Sequence, residues 1–143
     1  MPTNNDQMFL DHGGMAVPDL EATIAWYQRV FDFKVIQRFS QPQFTAAFIQ
    51  KDAARLEIFQ ATPPPPATHV KPLTSADLTT VMVRVGYTHI AFGVQDVDAV
   101  YQQAVSRGAT PVNPPSTQPG GTRFGHISDL NQNVIELIHN VPS

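Results

Sequence analysis

The sequence contains no cysteine, which removes disulfides, thiol nucleophiles and thiolate metal sites from consideration. Charge is scarce as well. Only 15% of residues are charged and the net charge is −3, so the electrostatics call for neither nucleic acid nor an anionic membrane as partner. No apolar run approaches the ~20 residues that a membrane-spanning helix needs. The opening residues Met1 to Gln7 lack a basic stretch followed by an apolar one, so no export signal is read there and a cytoplasmic location is expected. Apolar material is ample. Hydrophobic residues make up 42% of 143, enough for the core of one ordinary domain and too many for a disordered chain.

The chain repeats itself. Residues 12–22 read His-Gly-Gly-Met-Ala-Val-Pro-Asp-Leu-Glu-Ala, and residues 89–99 read His-Ile-Ala-Phe-Gly-Val-Gln-Asp-Val-Asp-Ala, at a constant offset of 77. Each copy starts as a strand and turns helical at its aspartate, Asp19 or Asp96, whose carboxylate suits a helix N-cap. Leu20, Ile24, Tyr27 and Phe31 then recur at helical spacing, as do Val97, Val100, Tyr101, Ala104 and Val105, with Gly108 as a C-terminal stop. Strands are expected at 33–39, 44–50 and 55–60 in the first copy and at 111–113, 122–128 and 134–139 in the second, the last two joined by a polar turn at 129–133. The fold class is therefore α+β, with two tandem βαβββ modules in one domain over 1–143. Module one covers about 8–61, a stiff linker containing Pro63 to Pro66 covers about 62–85, and module two covers about 86–140. Residues 74–84 have no clear period and receive no assignment.

Alternation along the strands sorts the side chains by face. In the first, fourth, fifth and eighth strands, His12, Glu57, His89 and Glu136 each point away from an aliphatic set that a helix would cover. Small residues share the face of the histidines: Gly14 and Ala16 with His12, Ala91 and Gly93 with His89. His12 and Glu57 are 45 residues apart, His89 and Glu136 are 47 apart, so the two pairs match across the repeat. Carboxylates on such strands are costly to leave unpaired, and a divalent cation compensates them. The four residues are read as ligands of one divalent metal. Two imidazoles and two carboxylates suit Ni, Co, Mn, Fe or Zn.

The repeat, the segment Tyr87-Thr88-His89-Ile90-Ala91-Phe92-Gly93-Val94 and the ending Val134-Ile135-Glu136-Leu137-Ile138 together resemble the vicinal oxygen chelate superfamily over about residues 8–140. That group includes glyoxalase I, methylmalonyl-CoA epimerase, extradiol dioxygenases and the bleomycin and fosfomycin resistance proteins. The resemblance implies an open, half-barrel-like curved mixed sheet around a metal site, with ligands at the positions of His12, Glu57, His89 and Glu136, and a homodimer. The ligand set is similar to that of bacterial glyoxalase I. Two departures argue against glutathione thioesters: Ala16 and Ala61 stand where that enzyme has an arginine and an asparagine. The family's usual Asp-Pro-Asp-Gly hairpin is replaced by Asp129-Leu130-Asn131-Gln132, a change of turn geometry.

The expected activity is proton transfer on a small substrate that chelates the metal through neighbouring oxygens. It is a glyoxalase- or epimerase-like lyase or isomerase reaction through a metal-stabilised enolate, with Glu136 or Glu57 as general base. Two alternatives stay open. One is an Fe(II) extradiol-type dioxygenase, which does not need Glu57. The other is a drug- or metabolite-binding resistance protein without turnover. His126 and Arg55 are candidate substrate contacts, although a plain hydrogen-bonded histidine and a surface ion pair account for them equally or better. Phe44, Phe48, Phe59 and Phe124 are candidate cavity walls. His69 is read as solvated in the linker, and Gly120 to Arg123 as a simple turn.

Overall fold

Each repeat turns from strand to helix at its aspartate, as the capping chemistry requires. Asp19 Oδ1 accepts the Ala22 amide at 3.0 Å, and Asp96 Oδ1 accepts the Ala99 amide at 3.0 Å. The computed structural model describes residues 7–66 and 71–140. His69 lies outside the described residues. The first module runs β1 (Gly13–Ala16), α1 (Leu20–Phe31), β2 (Lys34–Gln41), β3 (Phe44–Lys51) and β4 (Ala54–Ala61). After α2 (Ser75–Met82), the second runs β5 (His89–Gly93), α3 (Val97–Ser106), β6 (Thr110–Thr117), β7 (Arg123–Ser128) and β8 (Val134–His139).

The strands form two mixed four-stranded sheets that do not close into a barrel, ordered β1-β4-β3-β2 and β5-β8-β7-β6. In each sheet the first strand of the module pairs in parallel with the last, and the other pairs are antiparallel. β1 and β5 each have one hydrogen-bonded neighbour, so each keeps a free edge. The aliphatic faces turn inward. Ile49, Leu56 and Ile58 of the first sheet, Ile127, Ile135 and Leu137 of the second, and Leu20, Ile24, Tyr27 and Ala104 of the helices form a single buried cluster. Burial of this kind is worth about 1.5–3 kcal/mol for each large aliphatic side chain. Tyr27, fully buried on α1, donates its hydroxyl to Asp129 Oδ2 at 2.7 Å in the turn between β7 and β8. That hydrogen bond crosses from one module to the other. Burial pushes the Tyr27 phenol well above its ordinary value, and the neighbouring Asp129 pushes it further.

Three observations go beyond the sequence reading. The unassigned segment contains a helix: α2 begins with a reciprocal capping box in which Thr74 Oγ1 and Asp77 Oδ2 each meet the other's backbone amide. Leu78 and Val81 then pack with Leu73 on Val112 and Val134. β6 extends to Thr117, past Asn113 where the pattern ended, because an edge strand tolerates the missing amides of Pro114 and Pro115 through a register shift. β1 is shorter than the repeat, and His12 stands just ahead of its first residue.

Candidate functional site

The polar members of the four key strands lie on the faces that the helices leave open. His12 and Glu57 form one pair, with Nε2 and Oε1 3.6 Å apart. His89 and Glu136 form the matching pair, with Nε2 and Oε2 also 3.6 Å apart. Strand pairing sets this spacing: Glu57 is level with Gly14 across β1–β4, and Glu136 is level with Ala91 across β5–β8, two residues beyond each histidine. The absent or small side chains at Gly14 and Ala91 leave the space between donor atoms clear. All four side chains are partly exposed, the histidines at 34% and 29% and the carboxylates at 18% and 17%, so a ligand can reach them from outside.

Each histidine is oriented by the residue before it. Asp11 Oδ2 lies 2.8 Å from His12 Nδ1, and Thr88 Oγ1 lies 2.8 Å from His89 Nδ1. A carboxylate can only accept, so His12 donates from Nδ1, and in the neutral imidazole this leaves Nε2 as the acceptor. The hydrogen bond from His12 holds the Asp11 carboxyl below its ordinary value, with the Arg55 guanidinium contributing in the same direction. In that form the Nε2 lone pair faces the Glu57 carboxylate at 3.6 Å, too long for a hydrogen bond. Two acceptors turned toward one another fit a shared cation, and a nitrogen–oxygen donor set suits borderline-to-hard divalent ions. By this test the residues fit a divalent metal.

The second pair has a third member. His126 on β7 is buried and sits opposite Glu136 in the antiparallel register. Its Nε2 is 3.0 Å from Glu136 Oε2, while Asn113 Nδ2 approaches its Nδ1 at 3.5 Å. The amide of Asn113 donates, which assigns the His126 proton to Nε2 and makes it a donor to Glu136. In the first module the same place, opposite Glu57, belongs to Phe48, whose ring meets that of His12 edge-on at 5.2 Å. Arg55 shares the open face, but it is occupied: Nε donates to Gln50 Oε1 at 3.1 Å, and Nη1 lies 3.5 Å from Asp11 Oδ2.

The structure thus brings the four expected ligands together as two pairs and not as a single cluster in one chain. Among the described residues, no group of three or more His, Asp or Glu side chains is arranged to hold a metal ion. A cleft of about 660 Å³ touches only the edge of these pairs. It runs along the free edges of β1 and β5 between the modules, reaching Asp11, His12 and Arg55 but not Glu57, His89 or Glu136. The open face of a curved four-stranded sheet encloses little volume unless a second surface covers it. Asp11 was not singled out in the sequence because nothing in its type or spacing marks it. The only signal was its place beside a candidate ligand, matched by Thr88 in the repeat.

Among the described residues no helix is long and apolar enough to cross a membrane. No curated protein matches the sequence. Solved structures do match in fold. A glyoxylase/bleomycin resistance protein/dioxygenase domain from Frankia sp. EAN1pec aligns with a TM-score of 0.72 at 16% identity, covering 96% of both chains. A glyoxalase family protein from Bacillus cereus aligns with a TM-score of 0.71 at 18% identity, over 99% of this chain and 100% of that one. A glyoxalase I variant from Zea mays aligns with a TM-score of 0.66 at 21% identity over 90% of this chain, which spans 43% of that longer one. At such identities the likeness carries the fold alone. The family model for the Glyoxalase/Bleomycin resistance protein/Dioxygenase superfamily matches residues 9–137, nearly the whole sequence, and the chain belongs to that superfamily.

Proposed function

We propose that this chain is a metal-dependent enzyme whose site is completed by a second copy of itself. His12 and Glu57 of one copy would face His89 and Glu136 of the other, and the four would hold one divalent ion. The observation that carries this reading is the matched geometry: two histidine–glutamate pairs, each with a 3.6 Å nitrogen–oxygen separation, on open faces at equivalent places in the repeat. Neither pair alone supplies enough donors, and C2 pairing of identical chains is the usual way to bring two unlike surfaces of one chain together twice.

Held by these four residues, a divalent ion would supply Lewis-acid polarisation of neighbouring substrate oxygens. The chain's own residues do the rest. Asp11 and Thr88 fix the imidazoles, so that both Nε2 atoms are presented outward. A proton next to the substrate carbonyl passes to a carboxylate of the site, Glu57 or Glu136. Its return to a neighbouring atom gives isomerisation, and return to the opposite face of the same carbon gives epimerisation. Loss of a leaving group from the adjacent carbon, with the proton kept by the carboxylate or passed to that group, gives elimination. His126 keeps Glu136 from rotating freely by donating to its Oε2. The substrate class is a small molecule with two adjacent oxygens. Ala16 and Ala61 put neither a cation nor an amide at those two positions, which argues against glutathione thioesters. A single cytoplasmic domain working as a homodimer completes the reading.

Elemental analysis by plasma mass spectrometry tests it, on the wild type and on Glu57→Ala and His89→Ala. About one divalent metal per chain, lost in both variants, is the expected result. A wild type that holds none of these ions after incubation with each would sink the proposal and favour a binding protein without turnover. Iron as the bound metal, with oxygen uptake on catechols, would favour the dioxygenase.

A further inference from the structure

The two open faces differ in chemistry. On the first sheet, Phe48 is level with Glu57, Ala46 is level with Phe59, and Phe39 is level with Ala46. Phe44 lies two residues before Ala46 on the same side of β3. Four phenylalanines therefore share the face of Glu57, and their rings touch. Phe39 lies 6.1 Å from Phe44, 5.9 Å from Phe48 and 6.2 Å from Phe59, and Phe44 lies 5.1 Å from Phe59. Several of these pairs stand edge-to-face, the arrangement that aromatic quadrupoles favour. The buried methyl of Ala46 forms the floor between them. All four rings are half-buried.

The matching face of the second sheet is built otherwise. His126 stands in the place of Phe48, Ile138 in that of Phe59 and Ser116 in that of Phe39. Asn113 lies opposite His126, and among the described strand residues Phe124 is the one phenylalanine on this face. The aromatic wall is continuous with the candidate ligands, because the Phe48 ring meets the His12 ring at 5.2 Å. An apolar wall that touches one donor pair and ends at it is placed to take the part of a bound molecule next to the chelating oxygens.

We propose that this wall selects substrates that carry an aryl group, or a similarly flat apolar group, beside their adjacent oxygens. The proposal rests on the site described under Proposed function and names its substrate class. The phenyl ring would lie against Phe44, Phe48 and Phe59, with the oxygens toward His12 and Glu57. The polar groups of the second sheet, His126 and Asn113, would meet the oxygenated side.

Mandelate and lactate test this directly. Both are 2-hydroxy acids, and they differ by a phenyl against a methyl group. Their affinities for the full-length homodimer are measured by isothermal titration calorimetry, with and without the bound metal. Mandelate is expected to bind about tenfold more tightly than lactate or better, a difference of about 1.4 kcal/mol. Phe44→Leu and Phe59→Leu, which keep the apolar volume and remove the ring, should bring that ratio below about threefold while leaving lactate unchanged. Equal affinities for the two acids in the wild type, or an unchanged ratio in both variants, would overturn the proposal. The underlying metal reading fails in a different way: neither acid would then gain affinity from the metal. Mandelate preference that persists without any metal effect would keep the aryl wall and discard the metal site.

Discussion

Asp11 and His12 are neighbours in sequence, and their side chains meet at 2.8 Å between Oδ2 and Nδ1. That contact fixes the tautomer of the imidazole and turns its other nitrogen toward Glu57. Carboxylates behind a ligating histidine commonly change metal affinity by about 10–100-fold when removed. Asp11→Ala is therefore expected to weaken metal binding within that range. Asp11→Asn should cost less, since an amide oxygen can still accept the hydrogen bond from His12 Nδ1. Chelator competition on the purified variants measures both, and equal affinities for Asp11→Ala and wild type would refute the orienting role.

If each site takes one pair from each chain, variants in different modules must rescue one another. His12→Ala and His89→Ala should each lose the metal as pure proteins. Mixed dimers regain one intact site out of two, so an equimolar mixture allowed to exchange should recover about one site in four. Metal content and turnover after mixing are the readouts. No recovery, with exchange of chains confirmed by mass-tagged subunits, would place all four ligands within one chain.

Tyr27→Phe removes the hydroxyl that reaches from α1 to Asp129. The buried carboxylate keeps its bonds from the amides of Asn131 and Asn133 and from the Asn133 side chain, so the loss is partial. A cost of about 1–3 kcal/mol is expected in urea denaturation. The alkaline limb gives a second readout. The folded state holds the Tyr27 proton above the ordinary value of 10.0, while the unfolded state releases it there. Its contribution is present in full below pH 10 and is lost as the pH rises further, because the folded state then binds more protons. Tyr27→Phe should flatten that decline, and an unchanged limb would deny the coupling.

The sequence carried the modules because the repeat fixes both order and face. The 77-residue offset gave His12 and His89 matching places, although in the structure His12 stands just ahead of β1 while His89 opens β5, and alternation put Glu57 and Glu136 at equivalent positions of β4 and β8. α2 escaped because only Leu78 and Val81 anchor it, too few to make a period, although Thr74 and Asp77 stood at capping-box spacing. The length of β6 escaped because Pro114 and Pro115 read as strand breakers, and only its place at a sheet edge makes them tolerable.

The separation of the ligands into two pairs was illegible for a different reason. Periodicity tells which face a side chain takes. It does not tell how two sheets are set relative to one another. That relation depends on how α1 and α3 pack into a shared core, and therefore on many long-range contacts at once. Arg55 shows the same limit at the scale of one residue. Its face was readable, but its engagement with Gln50 and Asp11 was not.

The hydrogen bond from Tyr27 to Asp129 and the shared core bear on the order of assembly. Neither module can be pulled from the other without exposing aliphatic side chains that belong to both. Exchange of whole modules between two chains would require each to unfold first. Dimers would therefore arise by the meeting of two finished monomers, with a second-order rate and reversal on dilution. If the site is completed by a second copy, a newly folded chain would carry no complete site until it met another.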